Sequence, residues 1–152
     1  MVKADDLLLP NTQELFNFIE NNRQWQFGII TYGSPYDQAL KLKLAGLEEL
    51  PYLVTDSVSK GSVISSWKQS DGTFRLPKEY GNSLVDKVIL IDDKLRSFTS
   101  MPENAFGLWV NENGSLAPAD SGVLIQPDTV FPVSNLSHAI DTIDTFMTNG
   151  IS

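Results

Sequence analysis

The 152-residue sequence has no cysteine, a single histidine and only 11 lysines and arginines against 19 aspartates and glutamates, for a formal net charge of −8. The missing thiols exclude disulfides, zinc–thiolate sites, iron–sulfur clusters and a cysteine nucleophile, and they permit a reducing compartment. The lone histidine, His138, lies near the start of the last expected helix and far from any nucleophile-like serine. A Ser-His-Asp triad therefore has little support, and a partly exposed helix residue is the simpler reading. Scarcity of basic charge argues against nucleic acid and against anionic membrane surfaces as partners, since neutralising phosphates needs clustered Lys and Arg. Long apolar runs are missing too. The stretch Leu7 to Leu9 is too short for a signal-peptide core or a membrane span, so a cytoplasmic protein is expected. No internal repeat, low-complexity tract or linker interrupts the chain, which reads as one domain over residues 1–152.

What is present is an alternation of helical and strand patterns. Asn11 as N-cap with Glu14 three positions on, followed by Leu15, Phe16, Phe18 and Ile19, predicts a helix to about Asn22. The run from Phe27 to Ile30 predicts a buried strand ending at Thr31. Ser34 and Pro35 fit an N-cap and first helical residue, and Gly46 fits the stop of that helix. Tyr52 to Asp56 predicts a second strand, and a helix carrying Val63, Ile64 and Trp67 follows the Ser57 to Gly61 loop. Residues 69–83 read as a turn-rich connection with its tightest turn at Asp71-Gly72. Val88 to Ile91 is the strongest strand, and another ends near Val110. The chain then reads as irregular to Ser137, where Leu136, Ile140, Ile143 and Met147 mark a terminal amphipathic helix. Trp25, Trp67 and Trp109 flank apolar stretches and read as core or core-edge aromatics. Uniformly apolar strands between helices indicate an α/β fold, with a mainly parallel sheet covered on both faces.

Ligands gather at the carboxyl ends of such strands. Three polar groups fall there: Thr31, Lys60, and the pair Asp92-Asp93. The hydroxyl and the ammonium suit phosphate oxygens, and the carboxylates are hard ligands suited to Mg²⁺. Each also has a plain structural reading. Thr31 can cap a turn, Lys60 can be a solvated loop lysine, and Asp93 can N-cap a helix. The adjacent acids follow four apolar residues, so partial burial would set like charges against each other.

The ordered set of segments resembles the haloacid dehalogenase-like hydrolase superfamily from about Leu9 to Val110. FGIITYGSP is similar to that family's second motif, YLVTDSVSKG to the strand and lysine of its third, and VILIDD to its fourth. The resemblance implies a Rossmann-like three-layer α/β/α core without a large cap. It implies Mg²⁺-dependent phosphatase-type chemistry on a small phosphorylated molecule. Thr31, Tyr32, Gly33 and Lys60 would bind phosphate, Lys60 would also act catalytically, and Asp92 and Asp93 would hold Mg²⁺. A non-catalytic binding domain on the same fold is the alternative.

The family's first motif, an apolar strand followed by Asp-x-Asp, is not found. Asp5 and Asp6 are adjacent, and Met1 to Ala4 is short and polar, so they read as a solvated turn. The Asp71-Gly72-Thr73 triplet lacks a preceding apolar strand and is no substitute. In the family the missing strand lies between those ending at Thr31 and Asp92. Its loss would leave two unpaired edges inside the protein, so that slot is expected to be filled by upstream residues, by another chain, or by closure of the flanking strands. Met1 to Leu9 is the occupant the sequence favours least, because it would force Asp5 and Asp6 into the sheet interior.

Overall fold

Two parallel ladders organise the protein. In the computed structural model, which describes residues 12–22, 25–47, 49–111 and 129–149, β1 (Ile29–Tyr32) pairs with β2 (Tyr52–Thr55), Ile29 opposite Tyr52. A second sheet runs β5–β6–β7, with β5 (Val88–Asp92), β6 (Ala105–Val110) and β7 (Val130–Val133) all parallel. The helices are α1 (Thr12–Glu20), α2 (Pro35–Leu44), α3 (Lys60–Ser66) and α4 (Leu136–Asn149). The architecture is mixed α/β with mostly parallel strands. None of the described helices is long and apolar enough to cross a membrane.

Local chemistry explains the helix starts. The Ser34 hydroxyl accepts from the Asp37 amide at the head of α2, with Pro35 in the first turn. The Ser59 hydroxyl accepts from the Ser62 amide at the head of α3 and donates to the Thr99 carbonyl at 2.7 Å. That second bond fixes α3 against the turn that follows β5. Gly61, next along, packs so closely on this turn that a Cβ there would collide with the Thr99 carbonyl. Asn11, the expected cap of α1, lies outside the described residues.

Packing falls into two clusters, one on each face of β5. Leu90 joins Ile64, Phe74, Phe98 and Trp109 on one face, with Val88, Ile30 and Trp67 against them. Ile89 and Ile91 pack on the other, against Leu15 of α1 and Leu136, Ala139 and Ile143 of α4. A strand buried on both faces has to be apolar at consecutive positions, which is why VILI does not alternate.

Two expectations are corrected. The turn-rich connection contains a small antiparallel pair, β3 (Phe74–Arg75) with β4 (Leu84–Val85), as well as the tight turn, where the Gly72 amide donates to the Gln69 carbonyl. Two-residue strands leave no periodicity to read. The stretch before the last helix likewise contains β7, whose VFPV carries a proline opposite Trp109. The ladder bond from the Asn111 amide to the Val133 carbonyl turns Val133 toward β6, so Pro132 faces away and no ladder N–H is lost.

β1 and β5 do not close on each other. Each has one strand partner among the described residues, β2 and β6 respectively. Between them lies a cleft of about 1420 Å³, lined by every residue of β1 and β5 and by none of β2, β6 or β7. Of the three ways of filling the slot, closure of the flanking strands is therefore ruled out. Met1 to Leu9 lies outside the described residues.

Candidate functional site

The carboxyl end of this cleft brings Lys60 and Asp92 together. Asp92 ends β5 and is only 6% exposed. Its Oδ2 lies 2.5 Å from the Lys60 Nζ, and its Oδ1 accepts from the Lys94 amide at 2.7 Å. Lys60 reaches it because Ser59 anchors the first turn of α3 to the Thr99 carbonyl. A carboxylate this deep in the fold is stable only if charge-paired and hydrogen-bonded, and here it is both.

Thr31 lines the same cleft from β1, but its hydroxyl is turned to Gln38, donating to the Oε1 at 2.5 Å. Gln38 is buried, and its side chain occupies the space where a Cβ on residue 33 would sit. Gly33 also has φ +143, so both backbone conformation and the Gln38 amide demand glycine there. Its N–H donates to the Thr55 carbonyl at 3.1 Å and is already engaged. Tyr32 is 47% exposed and borders the cleft.

The acid pair divides. Asp93 is exposed, and its backbone carbonyl accepts from the Trp109 indole N–H at 3.2 Å. Capping of the turn after β5 falls to Asp92 through its bond to the Lys94 amide, and not to Asp93, for which N-capping is one of the two readings the sequence leaves open. Among the described residues no group of three or more acidic or histidine side chains gathers. The donor set therefore fits no all-protein metal cage. It does offer one buried carboxylate at an open cleft, which matches Mg²⁺ held by one or two carboxylates, water and substrate phosphate.

Four contributors escaped the sequence reading. Gln38 orients the Thr31 hydroxyl, and its position on α2 gave no polar pattern to notice. Tyr80, from the turn-rich connection, donates to the Ile29 carbonyl at 2.6 Å and stacks edge-on against Trp67. Burial pushes its phenol pKa well above the ordinary tyrosine value, with the nearby Glu79 charge adding to the effect. Arg96 and Lys94 line the cleft beside Asp92. His138 is exposed; its Nδ1 accepts from the Ser134 amide at 3.1 Å and lies 3.4 Å from the Ser134 hydroxyl.

Comparison with models of known protein families, with characterised proteins and with solved structures found no match.

Proposed function

We propose that the chain is a haloacid dehalogenase-like hydrolase core, a Rossmann-like three-layer domain of the cytoplasm, whose cleft takes a small phosphorylated molecule together with Mg²⁺. The observation that carries this reading is the Lys60–Asp92 contact at the carboxyl end of parallel strands, beside the cleft that Thr31 also lines. In it Lys60 and the Thr31 hydroxyl hold phosphoryl oxygens, the hydroxyl turning its proton away from the Gln38 Oε1 to do so, with Tyr32 and Gly33 shaping the turn around them. Phosphate would draw the Lys60 ammonium partly away from Asp92. Asp92 is the residue that would ligate Mg²⁺, and exposed Asp93 would contribute through water. Bound there, the metal supplies positive charge to the phosphoryl oxygens.

A second reading is a non-catalytic binding domain on this fold. It is favoured by the state of Lys60, whose charge is spent on Asp92, and by the lack of an Asp-x-Asp motif in the sequence. Without an identifiable nucleophile there is no covalent step for these charges to assist. Calorimetric titration of Mg²⁺ into the chain in phosphate buffer tests the shared part of both readings. Weak binding that disappears in Asp92→Ala is the expected result, and identical heats from both proteins would sink the metal assignment. Turnover of p-nitrophenyl phosphate separates the readings. The chain alone is expected to release no product, and Mg²⁺-dependent release abolished by Asp5→Asn or Asp6→Asn would establish a complete enzyme.

A further inference from the structure

The turn that follows Asp92 has a firmly held backbone and two free cationic side chains. The Lys94 amide donates to Asp92 Oδ1 at 2.7 Å, the Lys94 carbonyl accepts from the Ser97 amide at 3.0 Å, and the Arg96 carbonyl accepts from the Thr99 hydroxyl at 3.1 Å. Leu95, Ser97 and Phe98 are buried, and the Phe98 ring fills the space where a Cβ on Gly107 of β6 would sit. These residues seat the turn on the core, while Lys94 and Arg96 stay exposed and line the cleft. Among the described residues neither the Lys94 ammonium nor the Arg96 guanidinium has an ion-pair partner.

Charge around them is uneven. Lys60 is already matched to Asp92, which leaves Lys94 and Arg96 against the exposed carboxylate of Asp93 at this end of the cleft, in a chain of net charge −8. Asp37 and Asp56 follow the carboxyl ends of β1 and β2, but neither lines the cleft. A phosphoryl group held by Lys60 and Thr31 leaves both cations unused. We infer that the site takes a small molecule with two oxyanions, the phosphoryl group at Lys60 and Thr31 and a second group, carboxylate or phosphoryl, at Lys94 and Arg96. A guanidinium fork matches either group with two parallel N–H bonds, and the ammonium adds a point charge. Tyr32 and Val58, 47% and 42% exposed, line the same cleft and suit a short carbon body joining the two groups. This second subsite rests on the phosphate reading, to which it adds a substrate class and two specificity-determining residues.

Calorimetric titration of propylphosphonate, 3-phosphonopropionate and propane-1,3-bisphosphonate into the full chain with Mg²⁺ tests it. At least one doubly anionic probe is expected to bind about tenfold more tightly than propylphosphonate, the gain from one charge-assisted pair. Which of the two gains more tells a carboxylate-bearing substrate from a bisphosphate. Arg96→Gln and Lys94→Gln should each erode the preference and together remove most of it, with propylphosphonate affinity unchanged. Lys87→Gln, a cation lining the opposite end of the cleft, should leave the preference intact. Equal affinity for all three probes would overturn the second subsite and leave the phosphate reading standing. Equal weakening of every probe by Arg96→Gln, or loss of the preference in Lys87→Gln, would reveal a general field in place of a site and overturn it as well. If no phosphonate binds, the phosphate reading falls and the second subsite falls with it.

Discussion

The Lys60 ammonium lies 2.5 Å from the Asp92 carboxylate, joining the first turn of α3 to the end of β5 across 32 residues of chain. The lysine side chain is 15% exposed and the aspartate side chain 5%, so the pair is largely desolvated. Removing one partner of such a pair leaves an uncompensated charge, whereas removing both removes the problem. Lys60→Met should therefore destabilise the domain by about 3 kcal/mol. The double variant Lys60→Met/Asp92→Leu should recover most of that. Urea unfolding of the three proteins checks the prediction, and equal losses in single and double variants would show that the pair is not coupled.

Close approach at Gly61 gives a second prediction. Alanine is the better helix former, by about 1 kcal/mol. At this position its Cβ meets the Thr99 carbonyl and lies 3.0 Å from the Met101 amide nitrogen, both backbone atoms with little room to yield. Gly61→Ala should lower stability by about 1–3 kcal/mol, an overpacking cost that exceeds the propensity gain. It should also displace Lys60, so phosphate affinity falls with stability.

Tyr80 links the connection after α3 to β1 through the Ile29 carbonyl. Its phenol is pushed upward by burial, so the folded state favours the protonated form. A group with its folded pKa raised contributes stability that is complete below the unfolded value, near 10 for tyrosine, and lost as pH rises beyond it. Wild-type stability should thus fall steeply above about pH 10. Tyr80→Phe should cost about 1 kcal/mol at neutral pH, for the lost hydrogen bond, and show a shallower alkaline decline. Thermal melts from pH 7 to 11 decide it, and parallel profiles for the two proteins would refute the assignment.

The Gln38 amide holds the Thr31 hydroxyl and fills the space above Gly33. Gln38→Ala should free the Thr31 proton to donate to a phosphoryl oxygen and strengthen phosphate binding about threefold to tenfold, an effect of about 1 kcal/mol. Gly33→Ala should be worse for folding, since it combines a clash with an unfavourable φ. Phosphate titration beside urea unfolding separates the two effects.

Much of the fold was legible because period and end signals agreed. VILI, buried on both faces, had to be continuous in apolar residues, and Ser34-Pro35 carried both parts of a helix start. β7 was hidden by Pro132, which reads as a strand breaker until the ladder shows its nitrogen facing outward. β3 and β4, two residues each, exist only through their pairing and carry no local signal. Of the site, Thr31, Lys60 and Asp92 could be placed by strand ends alone. The Thr31–Gln38 bond and the Tyr80–Ile29 bond depend on how α2 and the connection fold back, which no spacing rule encodes.

The central claim, a phosphate site assembled from Thr31, Lys60 and Asp92 at the cleft end, is tested most directly by titrating inorganic phosphate into ¹⁵N-labelled chain in the presence of Mg²⁺ and following each backbone amide. The account predicts shifts concentrated at Thr31 to Gly33, Ser59 to Gly61 and Asp92 to Lys94, saturating together and absent in Lys60→Met. Shifts scattered over the surface, or an unchanged pattern in Lys60→Met that still saturates, would contradict it.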